Sequence, residues 1–481
     1  MRPRAVATLA LFWSSLAVSV AAAPPRTMRV DYFHTGGAER EIFAVDRVVV
    51  EPLPWPGNPE RPLDDTNLGK YFFEVVDIAA NRVVYSHGFD SIYGEWETTA
   101  DARRADATYH ESVRFPAPAR PVLLVIKKRD AHNLFHEVWS TVVDPGSKYV
   151  DTATPPAPGA VITLANAGEP GAKLDFLLLG EGYTAAEVGK CEADIRRLVD
   201  GVLTYSPFAD RRGDLNIRAI CPAAPTSGVS RPTAGLHRAT LFGSTFDAFG
   251  TERYALSFDN RAIRTLASHA PYEVLAIVMN ESAYGNGGIF GQYASVSVDH
   301  PDAISVFVHE FGHHVAGLGD EYYFNANVAY EAPRERIEPW EPNVTALLDP
   351  AQLKWRDLVA AETPLPTPWP KEEYERGIRE SGEALKRMRA EGRSDEEIAE
   401  HRKRSRAATD AALDGGEHAA AVGAFEGALY VEKGYYRPQQ RCLMINGRQF
   451  CAVCRRAIDR IIDLHAREHR APDPCRQTGT R

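Results

Sequence analysis

Apolar positions in the first third of the chain recur with the period of extended strands. Arg47-Val-Val-Val50, Tyr71-Phe-Phe-Glu-Val-Val76, Arg82-Val-Val-Tyr85 and Val122-Leu-Leu-Val-Ile126 are β-branched or aromatic runs, separated by Gly, Asn, Asp and Pro. Almost nothing between Thr27 and Asp144 has a helical period. This texture predicts an antiparallel β-sandwich over 27–144. Residues 145–159 follow as a linker, ending in Thr154-Pro-Pro-Ala-Pro-Gly159.

After the linker the pattern alternates. Leu174–Leu179, Asn216–Cys221, Val274–Met279 and Ala294–Val298 read as buried strands. Thr184 with Glu187 forms a capping box for one helix, and Asp259–His269 reads as another. Gly285-Asn-Gly-Gly288 reads as a flexible loop, and Pro301 stands where a third helix begins. Strands alternating with helices predict an α/β layered domain over 160–475. Lys371–Ser405 carries ten acidic and ten basic residues, with a capping box at Ser394 and Glu397. A stretch so evenly charged reads as a solvated helical hairpin inserted into that domain. Val453–His469 closes the pattern as an amphipathic helix.

Residues 1–23 have the form of an export signal. Arg2 and Arg4 precede an apolar run from Ala5 to Val20, and Ala21, Ala22 and Ala23 offer a cleavage site. No later stretch is apolar for long enough to span a bilayer. The expected location is therefore secreted or periplasmic, with no membrane contact after cleavage and the six cysteines in an oxidising compartment. A net charge of −10 argues against a nucleic-acid partner, since nothing basic would track phosphates.

The chemistry concentrates in His309-Glu310-Phe311-Gly312-His313. Histidines four apart on a helix present both imidazoles on one face, where two nitrogens reach one Zn²⁺. Glu310 between them sits beside the water that such a metal activates and can take its proton. Ile304, Val306, Phe307, Val308 and Phe311 anchor the helix in a core. A catalytic zinc needs a third protein ligand and an open position. Asp320 lies about 10 Å further along a continuous helix, so the chain must turn back, and Gly317 and Gly319 allow that turn. Glu321 is the rival ligand, whereas His314 points about 100° away from His313. The oxyanion partner stays open, with Tyr322, Tyr435 and Tyr436 as candidates, and Val274–Met279 or Ala294–Val298 is the expected edge strand for a peptide substrate.

Cys442 and Cys451 flank Asn446-Gly447, a strong two-residue hairpin signal. Counting out from that turn sets the two cysteines opposite each other at a non-hydrogen-bonded position, which predicts a Cys442–Cys451 disulfide. A zinc ribbon built from Cys442, Cys451, Cys454 and Cys475 is the competing reading. The pairing of Cys191, Cys221, Cys454 and Cys475 stays open at this level.

Leu174-Asp-Phe-Leu-Leu-Leu-Gly-Glu-Gly-Tyr183, His309–Tyr322, Gly423–Tyr430 and the stretch from Tyr436 through Cys442 to Cys454 together resemble the bacterial IgA-peptidase family of zinc metallopeptidases. The segment before them resembles that family's N-terminal domain. The resemblance implies a zincin-like (metzincin-like) α/β catalytic domain and one zinc ion per chain. It maps the metal ligands onto His309, His313 and Asp320, ahead of Glu321, and the general base onto Glu310. It also suggests that Met444 floors the metal site, as a methionine turn does in related proteases. The charged insertion has no counterpart in the family motifs. The expected activity is zinc-dependent endopeptidase action on a protein or peptide substrate. The other expectation is a binding or adhesion protein with a structural or vestigial zinc site, against which the intact Glu310 argues.

Overall fold

The computed structural model describes residues 24–323, 336–445 and 447–467. The predicted export signal, Asn446 of the expected hairpin turn and Cys475 lie outside the described residues.

The N-terminal unit contains β1 (Arg26–Gly36), β2 (Glu41–Pro54), β3 (Tyr71–Asp77), β4 (Arg82–Phe89), a short helix α1 (Ile92–Trp96), β5 (Ala107–Pro116), β6 (Val122–Arg129), β7 (Phe135–Val143) and β8 (Val150–Asp151). They form two four-stranded sheets, β5-β1-β2-β8 and β4-β3-β6-β7. Alternate residues of both sheets meet in one core: Val30 and Tyr32 of β1, Phe115 of β5, Phe73 and Val75 of β3, and Leu124 of β6. β8 comes from the segment expected to be linker, and it pairs in parallel with β2. α1 departs from the all-strand expectation; Ser91 caps it through a hydrogen bond from the Gly94 amide at 2.7 Å.

The second unit begins with β9 (Val161–Ala165), β10 (Leu174–Glu181), α2 (Val188–Val202), β11 (Leu215–Ile220), β12 (Ser244–Thr245), β13 (Leu256–Ser257) and α3 (Asn260–Ala267). It continues through β14 (Val274–Met279), β15 (Asn286–Ile289), β16 (Tyr293–Ser297) and α4 (Ala303–Ala316). The chain closes with α5 (Lys371–Ala390), α6 (Asp395–Asp414), β17 (Phe425–Ala428), β18 (Val431–Arg437) and α7 (Ala452–His465). A six-stranded sheet runs β15-β16-β14-β10-β11-β9, parallel in its middle and antiparallel at both ends. Every residue of β10 and β14 is buried, as central parallel strands covered on both faces require. Leu174, Phe176 and Leu178 face α2, α4 and α7, while Leu177 and Leu179 pack with α3 on the other side. α5 and α6 pair as the predicted charged helical hairpin, with the Ser394–Glu397 capping box formed.

Two expectations about edges need correction. Val274–Met279 and Ala294–Val298 lie inside the sheet, and the edge next to α4 is β15. The glycine-rich stretch expected to be a loop is thus largely strand, because its backbone pairs antiparallel with β16 from Asn286 to Ile289.

The units are joined by specific contacts. Arg114 of β5 donates to the Tyr272 carbonyl at 2.9 Å and lies 3.7 Å over that ring. The Asp90 amide donates to the Phe290 carbonyl at 2.8 Å. Cys191 of α2 and Cys221 after β11 form a disulfide, which resolves part of the open cysteine pairing. Its separation of 30 residues corresponds to roughly 3–4 kcal/mol in the chain-entropy account.

Candidate metal centre

α4 carries both motif histidines on its half-buried face; of the apolar residues read from the sequence, Phe307, Val308 and Phe311 are buried together with Val315, whereas Ile304 and Val306 are only partly buried. The helix stops at Gly317, whose φ of 58° places it in the left-handed region that caps helices. Leu318 then donates its amide to the Gly312 carbonyl, and the chain doubles back under α4. Gly319 keeps an ordinary φ; it contributes by its lack of a side chain, since a Cβ there would crowd Leu429.

That reversal brings Asp320 to the histidines. Its Oδ1 lies 3.1 Å from His309 Nε2 and 3.4 Å from His313 Nε2, and the two Nε2 atoms are 3.1 Å apart. Three ligands about 2.0–2.1 Å from one zinc would be separated by about 3.3 Å along tetrahedral edges. Asp320 Oδ1 is buried and, despite these short distances, takes part in no hydrogen bond of acceptable geometry among the described residues. The three atoms lie close together with Asp320 Oδ1 left unsatisfied, which is the fit a metal requires.

Each imidazole is oriented from behind. His309 Nδ1 donates to the Leu443 carbonyl at 3.1 Å, and His313 Nδ1 donates to the Leu318 carbonyl. Both rings thus offer Nε2 to the shared point. Burial opposes the charged form of His313, yet the Asp320 carboxylate outweighs it and lifts the pKa to about 9. Asp320 itself is held well below the carboxylate range: burial works the other way, and the charge of His313 prevails. His314 has a different part. It is buried, its Nδ1 donates to the Ile289 carbonyl at 2.9 Å, and its Nε2 accepts the Leu275 amide at 3.1 Å. Burial drops its pKa to about 4, so it bridges β14 and β15 as a neutral ring.

Glu310 is only 7% exposed, and burial raises its pKa. It lines a cavity of about 660 Å³ together with His309, His313, Asp320, Tyr322 and Arg253. Arg253 hydrogen-bonds Tyr322 and lies within the electrostatic reach of Glu310. Gly288 of β15 also lines the cavity, and a Cβ there would fall 2.3 Å from the Glu310 carbonyl oxygen. Asn286 exchanges backbone hydrogen bonds with Arg253 and Ala255 on the side away from β16. By the alternation of strands, the N–H and C=O of Gly288 point to that same side, along the cleft. Arg129, Asp130 and Asn133 of the N-terminal unit form part of the opposite wall.

Sequence reasoning missed Tyr430. Its hydroxyl donates to Asp320 Oδ2 from the turn between β17 and β18. Leu429 and Tyr430 both have positive φ, and their amides donate to the carbonyls of Asp320 and Tyr322 at 2.9 and 3.0 Å. Those bonds hold a conformation that neither residue favours alone. Of the three candidate oxyanion tyrosines, Tyr322 and Tyr435 line the cavity, and Tyr436 does not. Met444 is fully buried beneath α4, where a Cβ on Gly312 would approach its Sδ to 3.1 Å.

The expected Cys442–Cys451 disulfide is not formed; Cys442, Cys451 and Cys454 are free and buried. The Cys442 carbonyl accepts the amides of both Ile445 and Gly447, and Leu443 pairs with Gln449 rather than Phe450. The chain thereby curls around Cys442 instead of running as two facing strands. Glu321, the rival ligand, points into this cysteine cluster and away from the histidines.

Among known families, one described as IgA Peptidase M64 matches residues 162–462, and one described as Peptidase M64 N-terminus matches residues 21–140. No curated protein matches the chain.

Proposed function

The chain belongs to the M64 family of metal-dependent peptidases, and from that premise we propose that it is an exported zinc endopeptidase acting on an extracellular protein. The observation that carries this reading is the convergence of His309 Nε2, His313 Nε2 and Asp320 Oδ1 beside the buried carboxylate of Glu310. We assign the first three as ligands of one zinc ion and Glu310 as the general base. Zinc held there would supply Lewis-acid polarisation of the scissile carbonyl and a lowered pKa for the attacking water. Glu310 takes the proton of that water and passes it to the leaving amine. Burial, by raising its pKa, suits it to both transfers. Arg253 and Tyr322 face the developing oxyanion.

The substrate adds to the outer side of β15 as a further strand, with Gly288 supplying the backbone partners nearest Glu310. In this reading the paired four-stranded sheets are a β-sandwich, and the six-stranded sheet with α4 beneath it is zincin-like. Export is supported by the Cys191–Cys221 disulfide. Among the described residues no helix is long and apolar enough to cross a membrane.

The test is incubation of the purified chain with a mixed peptide library, with and without chelator, beside Glu310→Gln. Wild type should generate new internal termini, and chelation should abolish them. Glu310→Gln should retain the active-site metal and lose at least about 100-fold in rate. Absence of cleavage, or a variant within about tenfold of wild type, overturns the assignment.

A further inference from the structure

Asp320 and Glu321 are adjacent in the chain but serve different buried clusters. Asp320 turns to the histidines, and Glu321 turns into a pocket closed by Cys442, Cys451 and Cys454. We propose that Glu321, Cys442, Cys451 and Cys454 bind a second, structural zinc ion that fixes the floor of the candidate active site.

All four side chains are buried, and their ligand atoms lie within 4.8 Å of one another. Cys442 Sγ is 3.5 Å from Cys454 Sγ; Glu321 Oε1 is 3.2 Å from Cys454 Sγ and 3.9 Å from Cys451 Sγ. Sulfurs about 2.3 Å from a tetrahedral zinc stand about 3.8 Å apart, and a sulfur and an oxygen about 3.5 Å apart. The three separations given lie within about 0.4 Å of those values, and the remaining ones are at most 4.8 Å.

The surroundings suit thiolates and a cation. The Cys451 amide donates to Cys442 Sγ at 3.3 Å, and the Cys454 amide donates to Cys451 Sγ at 3.5 Å. Cys451 is the N-cap of α7, where the helix dipole favours negative charge. Glu321 is 0% exposed, and its Oε2 is buried with no hydrogen-bond partner among the described residues. Its Oε1, which faces the thiols of Cys451 and Cys454, accepts from Asn343 Nδ2 at 2.9 Å, so a buried carboxyl with one oxygen unsatisfied stands among three thiols, a setting that a bound cation would stabilise.

On binding, zinc takes the place of three thiol protons, and three thiolates with one carboxylate leave the site at a net −2. Arg437, a fully buried guanidinium with no ion pair among the described residues, lies within the field of Glu321 and Cys442 and offsets part of that charge.

The site also reaches the first centre through the backbone. The carbonyl of Leu443, next to Cys442, accepts His309 Nδ1–H, and the Glu321 amide donates to the Met444 carbonyl at 2.9 Å. Clamping the cysteine loop to Glu321 therefore fixes both the ring of His309 and the residue after Asp320.

The test uses the full chain and metal analysis, and it needs no hydrolysis, so it stands or falls apart from the peptidase reading. Wild type should hold two zinc ions per chain, and His309→Ala/His313→Ala one. Cobalt loaded into that double variant should show intense near-ultraviolet sulfur-to-metal charge transfer. Adding Cys454→Ser should remove both the metal and the band. Glu321→Gln, which keeps the side-chain shape, should weaken zinc at this site at least tenfold by chelator competition. No metal in the folded double variant, cobalt without the sulfur band, or peptides mapping a disulfide among Cys442, Cys451, Cys454 and Cys475 would overturn the proposal.

Discussion

Replacing Gly288 by alanine tests whether the edge strand and the motif helix form one working surface. A Cβ at this position would lie 2.3 Å from the Glu310 carbonyl oxygen and 3.1 Å from His313 Cβ. The nearer obstacle is backbone, so no rotamer change relieves it. An ordinary carbon–oxygen contact requires β15 and α4 to separate by about 1 Å. β15 is tied to β16 from Asn286 to Ile289, and the Ile289 carbonyl is held by His314. The movement therefore falls on the Glu310 turn of α4 or on the strand opposite it. A misplacement of about 1 Å between catalytic groups and substrate lowers rates by about 100-fold. The overpacking itself should destabilise the fold by about 1–3 kcal/mol. Peptide turnover should thus fall about 100-fold in kcat/KM, while metal analysis still finds zinc on His309, His313 and Asp320. A folded variant that cleaves within about threefold of wild type would show that the contact between β15 and α4 has no part in positioning Glu310 or substrate.

The other expectations concern protons and supports. Tyr430→Phe strips the hydroxyl from Asp320 Oδ2 and should weaken zinc at the histidine site about 10–100-fold; unchanged affinity in chelator competition refutes the orienting role. Zinc must displace the proton held on His313 up to about pH 9, so the zinc needed to restore hydrolysis to chelated enzyme should rise about tenfold for each pH unit below that value, and a flat dependence excludes the competition. Glu181 is buried, and its pKa is raised to about 7 because burial disfavours its charged form. The folded state then keeps a proton that the unfolded chain releases, so this contribution is full below the ordinary carboxylate pKa and is lost as pH rises through about 7. Urea midpoints of wild type relative to Glu181→Gln should decline between about pH 5 and about pH 8, whereas a constant difference would show that Glu181 does not titrate in that window.

The fold is legible where one physical signal dominates. β10 and β14 are continuous apolar runs because both faces are covered, and α4 carries its apolar residues at helical spacing. The capping boxes at Thr184 and Ser394 form because their partners lie three residues away, within the same local segment. β15 escapes the same reading. Asn286-Gly-Gly-Ile289 has no strand propensity, and its extended form is imposed by β16 on one side and by the close approach of α4 on the other. The N-terminal unit's share in the cleft is equally non-local. Nothing in the local pattern around Arg129, Asp130 and Asn133 indicates that they face a motif some 180 residues away.

The site divides along the same line. Two histidines and a glutamate on one helix are fixed by helical geometry alone, so His309, Glu310 and His313 are found from spacing. Asp320 depends on a chain reversal, for which Gly317 gives a local sign. Tyr430 has no such sign, since positive φ at Leu429 and Tyr430 runs against turn preferences and is secured by the carbonyls of Asp320 and Tyr322. The cysteines show how a strong local signal can mislead. Asn446-Gly447 favours a hairpin and would set Cys442 against Cys451, but a hairpin gives Glu321 and Cys454 nothing to do. Both Cys454, three residues into the next helical turn, and Glu321, about 120 residues earlier, converge on the same point. Long-range packing overrides the local turn preference here, and the Cys442 carbonyl takes the amides of both Ile445 and Gly447. The loop therefore closes around the cluster, and the backbone that closes it also presents the Leu443 carbonyl to His309.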